Sequence, residues 1–449
     1  MAQPKMKRAE NLKEMLKVFT PEPLEGDNLS EFFYEDTMRS RMGNPSKSPI
    51  RRLYNDCISP SNRNAHLLLG HGGCGKSTEL RNLERRFNNS KCPYPVHLVH
   101  ARAERDLEKI DRWDIMMLIT EGLCHIAEMY KVSIPDYTRE ALYTILYNEM
   151  IQEETLSDSS SVKLAAGAEI KTPPLGGIIK AFASLGGELK TGSAKSTTIK
   201  EVMDKRASEW RMHTELIAEE IWVKCKKKHP IIIIEDLDRL PDTDKIFSIL
   251  SYSVLSEMSF PIIYTFPVSQ RYDPRFPALS AMYKDHPLPM IKVANHNPRD
   301  ENEEGMEVIR TIVGRRADLS LFDESDDVLN KLIRKTGGSL RHLFECIIIA
   351  AEEASSRGAH KIELQDADSA LAEKRDGLTR ILDTEMSKKL AVIYNDHKAR
   401  RRYDEKAFLL KMMHALVVLE YQNGYHWHDV HPLVADYLYE MEEITINES

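Results

Sequence analysis

The sequence predicts an α/β fold in which helices cover a parallel sheet, and three observations lead to this prediction. A glycine-rich loop follows a short apolar run, Leu67–Leu69, and precedes a helix-like segment. A second apolar run, Ile231–Ile234, is continuous and ends in acidic residues, as expected for a strand buried on both faces of a parallel sheet. Strand-like and helix-like patterns alternate between the two runs, and this order is typical of parallel sheets covered by helices.

The composition limits what kind of protein this is. A chain of 449 residues is too long for one compact core, so we expect several domains. The formal net charge of −8 gives no global positive field for nucleic acid or for an anionic membrane. The six cysteines are scattered, which suits reduced thiols, and no apolar run is long enough to span a bilayer. We therefore predict a cytoplasmic protein without a membrane segment.

The polar segment 1–60 precedes the first strand. Helical patterns around Ala9–Phe19 and Arg51–Cys57 alternate with proline-containing loops. The segment is a linker, a contact at one side of the site that the next loop forms, or a plain leader. Of these three interpretations we favour the leader.

The loop from Gly70 to Ser77 reads G-H-G-G-C-G-K-S and matches the pattern G-x-x-x-x-G-K-S between a strand and a helix. Its glycines let backbone N–H groups surround phosphates, Lys76 reaches the outer phosphates, and the Ser77 hydroxyl binds Mg²⁺. We therefore predict binding of a nucleoside triphosphate together with Mg²⁺. The predicted binding residues are Gly70, His71, Gly72, Gly73, Cys74, Gly75, Lys76, Ser77 and Thr78.

The stretch after the loop continues the β–α order. Tyr94–His100 alternates like a strand, and Ile110–Tyr130 carries apolar residues at helical spacing. The composition then shifts to Ser, Gly, Ala and Lys between Glu153 and Ser196. Alternating residues at 162–170 and 179–185 predict an inserted β-hairpin there, which either contacts a partner or is a surface insertion.

The second apolar run is followed by Glu235-Asp236-Leu237-Asp238-Arg239. Ligands bind at the carboxyl ends of parallel strands, so these acidic residues belong at the site. Another buried strand, Phe260–Phe266, contains Thr265, and a charged, proline-containing stretch from 273 to 304 is predicted to be a loop.

The C-terminal part is predicted to be mainly helical. Helices are expected at Met306–Arg316, Asp326–Lys335 and Leu340–Ala354. Later helices lead to Asn423-Gly424 between aromatic, β-prone residues, which is a strong hairpin signal. Helices followed by a hairpin indicate a winged-helix domain.

Taken together, these motifs resemble an AAA+ ATPase, and most closely the bacterial and archaeal relatives of the origin-recognition-complex clade. The loop G-H-G-G-C-G-K-S-T-E-L, the segment T-G-G-S-L-R-H-L at 336–343 and the C-terminal domain carry the resemblance, which covers roughly residues 60–449. It implies an α/β P-loop NTPase fold with a helical lid. The predicted units are an N-terminal helical or linker segment (1–60), an AAA+ core (61–300, with the inserted hairpin at 153–200), a lid (301–375) and a winged-helix domain (376–449).

The resemblance also assigns catalytic roles. Glu235 and Asp236 fall on the Walker B pair, Thr265 or Ser269 on sensor 1, and Arg341 on sensor 2 near the γ-phosphate. The predicted catalytic residues are therefore Glu235, Asp236, Lys76, Thr265 and Arg341, and the predicted Mg²⁺ ligands are Ser77, Glu235 and Asp236. The usual order is Asp then Glu. The reversed order here predicts slow turnover, and Asp238 is a further carboxylate at this strand end.

Members of this superfamily complete the site with an arginine from a neighbouring subunit, so the resemblance implies a homo-oligomer. An arginine supplied in this way stabilises charge in the transition state. The candidate arginines are Arg271, Arg275, Arg315 and Arg316.

Three functions fit these features. The first is an ATPase whose nucleotide state sets its conformation or assembly and thereby controls a separate effector protein. The resemblance suggests bacterial antiviral defence as the setting of this function. The second is a DNA-associated ATPase of the initiator or transposition type. Segment 376–449 holds nine Lys/Arg and thirteen Asp/Glu, a net charge of −4, which makes DNA binding there the less favoured prediction. The third is a nucleotide-binding scaffold with little turnover.

The C-terminal domain also contains a candidate metal site. His426, His428, Asp429 and His431 have the composition of a zinc cluster. A polar hairpin packed by Trp427 is the favoured interpretation, because no cysteine is near and hairpin alternation leaves the ligand set incomplete.

Overall fold

The computed structural model describes residues 4–59, 63–89, 93–157, 174–182, 204–296, 299–325, 327–396 and 406–445. Five parallel strands form the central sheet in the order β2-β3-β4-β1-β5. They are β1 (Ala65–Gly70), β2 (Val96–His100), β3 (Ile231–Glu235), β4 (Ile262–Pro267) and β5 (Lys284–Pro287). Every residue of β1, β3 and β4 is buried, as the continuous apolar runs predict. The sheet and its strand–loop–helix unit confirm the predicted α/β P-loop NTPase fold.

Helices cover both faces of the sheet and continue beyond it. In chain order they are α1 (Leu12–Val18), α2 (Gly26–Phe32), α3 (Met38–Met42), α4 (Pro49–Ile58), α5 (Lys76–Asn88), α6 (Ala101–Glu104), α7 (Arg112–Met129), α8 (Asp136–Ser157), α9 (175–182), α10 (Ala207–Lys224), α11 (Thr243–Leu250), α12 (Phe276–Met282), α13 (Glu303–Arg316), α14 (Val328–Lys335), α15 (Leu340–Ser356), α16 (Leu364–Thr379), α17 (Thr384–Asn395), α18 (Lys406–His414) and α19 (Pro432–Glu440). None of the helices in the described ranges is both long and apolar enough to cross a bilayer.

The N-terminal segment is part of the folded body. The backbone N–H of Ala9 donates to the Arg316 carbonyl, and the N–H of Asp318 donates back to the Ala9 carbonyl. Phe19 is fully buried and meets Phe344 of α15 edge to face, with ring centroids 5.4 Å apart. The favoured interpretation of residues 1–60 as a leader is therefore wrong, because helices α1 to α4 bury apolar side chains against the sheet and against α13 and α15.

Two stretches differ from their predicted structure. Segment 175–182 is helical, so the second strand of the predicted 153–200 hairpin is wrong over its first residues, while 158–173 and 183–203 lie outside the described residues. The stretch 273–304, predicted to be a loop, contains α12 and the edge strand β5. Proline is tolerated at the first turn of a helix and at the end of an edge strand, and Pro277 and Pro287 occupy such positions.

The C-terminal region contains the predicted hairpin. Strands β6 (Val418–Gln422) and β7 (His426–Val430) pair antiparallel, and Gly424 in the turn has φ +76°. Helices α17 and α18 precede the hairpin and α19 follows it. We call residues 406–440 the C-terminal module. Its classification as a winged helix stays a prediction.

Candidate nucleotide-binding site

The glycine-rich loop joins the end of β1 to the start of α5. Gly73 has φ +78°, and a Cβ placed on it would lie 2.6 Å from the Cβ of Arg341. A Cβ on Gly70 would lie 2.7 Å from the Cys74 sulfur. Glycine is therefore required at both positions because other atoms pack closely against them, and at Gly73 also because its backbone is left-handed.

Lys76 is buried and lies inside the curve of this loop. Its Nζ donates to the carbonyls of Gly70 at 2.9 Å and His71 at 2.8 Å, and it pairs with Asp238 Oδ2 at 2.8 Å. Burial alone would raise the pKa of Asp238, but the charge and hydrogen bond of Lys76 and the Thr265 hydroxyl outweigh it and lower that pKa. The carboxylate that meets the loop lysine is thus Asp238.

The other two carboxylates at this strand end face β2. Glu235 Oε2 lies 3.1 Å from Nδ1 of His100, its Cα partner on β2, and Asp236 Oδ2 lies 3.7 Å from the same nitrogen. Hydrogen bonds to Asp236 and Glu235 raise the pKa of His100 to about 9. Asp236 has φ +72°, a left-handed turn that directs Asp238 back toward the loop.

Thr265 lies on β4 beside this acidic turn. Its Oγ1 accepts a hydrogen bond from the Leu237 backbone N–H at 3.1 Å, and the hydroxyl also bonds Asp238. Ser269, the alternative at this site, is buried and its hydroxyl has no partner among the described residues. Thr265 thus holds the turn that carries Asp238.

Arg341 lies in the first turn of α15, beside the phosphate loop. Ser339 caps α15 by accepting from the His342 backbone N–H, which fixes the first turn of the helix. A Cβ on Gly72 would lie 3.3 Å from Arg341 Nη1, so the guanidinium lies against the loop. Its function as a γ-phosphate sensor stays a prediction.

A cavity extends from the loop toward the N-terminal segment. Its polar end is lined by Ser77, Thr78, Asp238, Arg239 and Arg341, and its apolar end by Leu24, Phe32, Tyr34, Ile312 and Phe344. Apolar and aromatic residues beside a phosphate-binding loop suit a nucleoside, whose base packs on such side chains. Residues of segment 1–60 line this cavity, and their contact with a nucleobase stays a prediction.

Sequence analysis missed Arg41, a buried arginine of α3. Its Nη2 donates to the carbonyl of Cys74 in the loop at 2.8 Å, and its Nη1 donates to the Pro289 carbonyl. Burial lowers the pKa of Arg41, with Cys74 and Glu79 acting in the opposite direction. No motif marks this residue, because its contacts come from chain segments far apart in sequence.

Replacing Arg41 by methionine is expected to weaken nucleotide binding about tenfold, because two buried carbonyls lose a charged donor and the loop loses a brace. Titration of a fluorescent ATP analogue with each variant measures this. Arg39→Met is the matched control on the same helix, since Arg39 is exposed and pairs only with Glu304 among the described residues. Equal affinities of the two variants would contradict the assignment.

The four arginines considered for action in a neighbouring subunit all have partners within the chain. Arg271 bonds Asp285 and His426, Arg275 bonds Asp244 and Asp273, Arg315 donates to the Phe33 carbonyl, and Arg316 donates to the Val18 carbonyl. Arg316 is buried, lies over the Phe344 ring and lines the cavity of its own chain.

The C-terminal module contacts the loop directly. The His71 side chain is buried, and its Nε2 accepts a hydrogen bond from the Glu420 backbone N–H at 2.8 Å. Burial lowers the pKa of His71 to about 4, so the ring is neutral and able to accept at pH 7. Tyr421 donates to the carbonyl of Gly337 at 2.7 Å, just before α15, the helix that carries Arg341. One strand of the hairpin thus contacts both the phosphate loop and the turn before α15.

The candidate zinc residues of the hairpin are held in different contacts. His426 Nδ1 lies 3.1 Å from Glu420 Oε1, and His428 Nε2 lies 3.6 Å from Glu420 Oε2. His431 instead meets His342, and Asp429 pairs with Arg299. Trp427 stacks on Tyr421 with centroids 4.6 Å apart. These contacts agree with the polar, Trp427-packed hairpin that the sequence favoured.

No protein-family model and no curated protein matches the chain. Among solved structures, Cdc6p from Pyrobaculum aerophilum is 11% identical with a TM-score of 0.38, and the similarity covers 95% of this chain and 98% of that chain. The Aeropyrum pernix ORC1 protein in complex with DNA is 13% identical with a TM-score of 0.39, covering 95% and 96%. A Walker-type ATPase of Pyrococcus abyssi is 13% identical with a TM-score of 0.45, covering 94% and 99%. The chain has an α/β P-loop NTPase fold, and Cdc6- and ORC-type proteins are among the solved structures similar to it.

Proposed function

We propose that the chain binds and hydrolyses ATP as an AAA+-type ATPase, and that the nucleotide state sets the position of the C-terminal module. The observation that supports this proposal is the hydrogen bond from Glu420 to His71. It joins a side chain of the phosphate loop to the hairpin, so a change in the loop is transmitted to the module without an intermediate.

The proposed ATP site uses the whole cavity. The base packs among the aromatic residues of its apolar end, and the phosphates follow the loop toward Lys76 and Arg341. When bound, Mg²⁺ neutralises the charge on the outer phosphates. Ser77 and Asp238 offer oxygen ligands at the loop, with Glu235 and Asp236 beside them at the end of β3.

The proposed hydrolytic step depends on the carboxylates at the end of β3. Glu235 is buried, with Oε2 held by His100 and Oε1 without a partner among the described residues. That arrangement leaves one carboxylate oxygen available to orient a water molecule. Asp238 instead holds Lys76, so we assign it to binding and metal coordination.

We expect Glu235→Gln and Asp236→Asn to keep ATP binding and lower the hydrolysis rate at least tenfold, since both remove a charge from the end of β3. Asp238→Asn should instead weaken binding of Mg²⁺–ATP, because it removes the ion pair that orients Lys76. Phosphate release and equilibrium binding, measured for all three variants, separate these effects. Wild-type hydrolysis by both Glu235→Gln and Asp236→Asn would exclude these residues from the mechanism.

The proposed output is a change in what the module exposes. Arg341 and His71 both lie at the phosphate loop, and the hairpin contacts the residues just before Arg341. Loss of the outer phosphate would remove a contact of the lid and shift the module, a hinge-type switch. The hairpin face that now packs on the loop would then be presented to a neighbouring copy or to an effector protein.

The net charge of −4 on segment 376–449 disfavours the DNA-associated alternative. The rate of hydrolysis, measured with and without duplex DNA at several salt concentrations, distinguishes this alternative from control of an effector protein. The effector-control proposal expects no salt-sensitive stimulation by DNA. The antiviral-defence setting rests on the sequence resemblance alone and is tested by phage challenge of cells with and without the gene.

A further inference from the structure

A second group of possible ligand atoms lies away from the phosphate loop, where α4 packs against β1 and β5. Nδ1 of His66 is 3.3 Å from Nε2 of His286, and that nitrogen is 3.7 Å from Oδ2 of Asp56. The three atoms all lie within 4.8 Å of one another. Both histidines are buried, and Asp56 lies at the edge of the cluster, half-buried.

Hydrogen bonds to the described residues do not satisfy these imidazoles. In a contact between the inner nitrogens of His66 and His286, only one carries a proton, so the pair makes at most one hydrogen bond. The outer nitrogens, Nε2 of His66 and Nδ1 of His286, are buried and have no partner among the described residues, and a metal bound by the inner nitrogens would leave both of them as N–H groups. Two buried imidazoles held by a single hydrogen bond cost stability.

We propose that Asp56, His66 and His286 form a structural site for a divalent transition metal of the zinc class, bound through Oδ2, Nδ1 and Nε2. Tetrahedral zinc with Zn–N bonds of 2.0–2.1 Å holds two ligand nitrogens about 3.3 Å apart, which is the separation of these two ring nitrogens. Two imidazoles and one carboxylate select zinc-class ions over Mg²⁺, which prefers an all-oxygen shell. The site is therefore chemically distinct from the Mg²⁺ site at the loop.

The charged groups near the two histidines are Asp56 and Arg52 of α4 and Lys284 and Asp285 of β5. Of these, Asp56 places a carboxylate oxygen within reach of the histidine nitrogens, and it is therefore the proposed ligand.

Lys284 provides an outer contact of the kind seen around metal ligands. Its Nζ pairs with Oδ1 of Asp56 at 3.1 Å and leaves Oδ2 directed at the histidines. Partners of this kind orient a ligating carboxylate. The side chain of Asp56 is 29% exposed, so a water molecule can complete the coordination from that side.

The position of the site suggests a structural effect. Asp56 is near the end of α4, His66 is the second residue of β1, and His286 lies on the neighbouring edge strand. A bound ion would fasten the N-terminal segment and the short strand β5 to the strand that leads into the phosphate loop. We therefore expect the metal to stabilise the fold, by the free energy of binding to the folded state alone.

The test uses the full chain, purified without added chelator from cells grown with zinc. Elemental analysis should find about one zinc per chain, and Asp56→Asn and His286→Gln should each lower this at least tenfold. His342→Gln is the matched control, because His342 and His431 form another buried imidazole pair, 3.1 Å apart, that lacks this carboxylate. We expect the control to keep the zinc content of the wild-type protein and both ligand variants to lose it.

Cobalt provides a second measurement that does not depend on the variants folding. Wild-type protein stripped with chelator and titrated with Co²⁺ should develop the visible absorption of a four-coordinate site, and zinc should displace it and raise the thermal midpoint. Less than roughly 0.1 zinc per wild-type chain, together with no cobalt spectrum at micromolar metal, would overturn the proposal. Full zinc occupancy in both ligand variants would overturn it as well. ATP binding by the metal-free chain is recorded in parallel, so that failure of the metal site and failure of the nucleotide site are told apart.

Discussion

Replacing Lys76 by alanine is expected to lower the affinity for Mg²⁺–ATP at least a hundredfold and to abolish hydrolysis. Lys76 is the buried cation of the loop, and its Nζ is already aimed by the carbonyls of Gly70 and His71. A phosphate bound at the loop would lose this charged contact, and Asp238 would be left without its counter-ion. Each charged hydrogen bond contributes about 1.5–3 kcal/mol, and two such effects together account for a loss of this size.

Isothermal titration with ATP and with a slowly hydrolysed analogue measures the loss. Lys13→Ala is the control, since Lys13 is exposed on α1. The thermal midpoint should be measured for both variants, because removing Lys76 leaves the Asp238 carboxylate buried and unpaired. Wild-type affinity in a folded Lys76→Ala protein would exclude the loop as a nucleotide site.

Replacing His71 by leucine should release the C-terminal module from the loop. The substitution removes the acceptor of the Glu420 N–H, and an unsatisfied buried amide costs about 1–3 kcal/mol, or roughly a 5- to 150-fold shift in a docking equilibrium. We expect faster nucleotide exchange and greater susceptibility of the C-terminal module, residues 406–440, to limited proteolysis. The hydrolysis rate per bound ATP should change less than the exchange rate.

His71→Gln is the matched control for this prediction, because its side-chain oxygen can accept the same hydrogen bond. It should stay close to wild type. Acid provides a second way of breaking the contact. The pKa of His71 is depressed to about 4 in the folded chain, so the unfolded or released state binds more protons between pH 4 and about 6.5. The docked state is therefore fully stable above pH 6.5 and loses stability as the pH falls toward 4. A His71→Leu protein with wild-type nucleotide exchange would show that this bond does not couple the two parts.

The central sheet and the phosphate loop could be predicted because their signals are local. The apolar runs of β1 and β3 and the spacing of glycine, lysine and serine suffice without tertiary information. The strand β5 could not be predicted this way. It has four residues, carries charged side chains and ends in proline, and it forms because β1 offers an open edge.

The candidate site was only partly predictable for the same reason. Motifs predicted Lys76, Arg341 and Thr265, and the structure places the first two at the phosphate loop and Thr265 at the acidic turn that carries Asp238. The contact of Asp238 with Lys76 depends on the left-handed turn at Asp236. Such a turn is not expected at a residue other than glycine, so the sequence does not predict it. Arg41 and the aromatic residues Phe32, Phe33 and Tyr34 of the cavity come from the N-terminal segment. The sequence pattern of its short helices does not predict that they pack beside the phosphate loop.

Hydrogen exchange at the hairpin tests the central claim most directly, namely that the nucleotide state sets the position of the C-terminal module. The amide of Glu420 is the donor to His71, so its exchange rate reports on docking. The Glu235→Gln protein, saturated in turn with ADP and with ATP in the presence of Mg²⁺, provides the two states without turnover. We predict at least a tenfold difference in the exchange of residues 418–422 between these states, and none in Glu235→Gln combined with Lys76→Ala. Equal protection in both states, with binding of both nucleotides verified, would contradict the account.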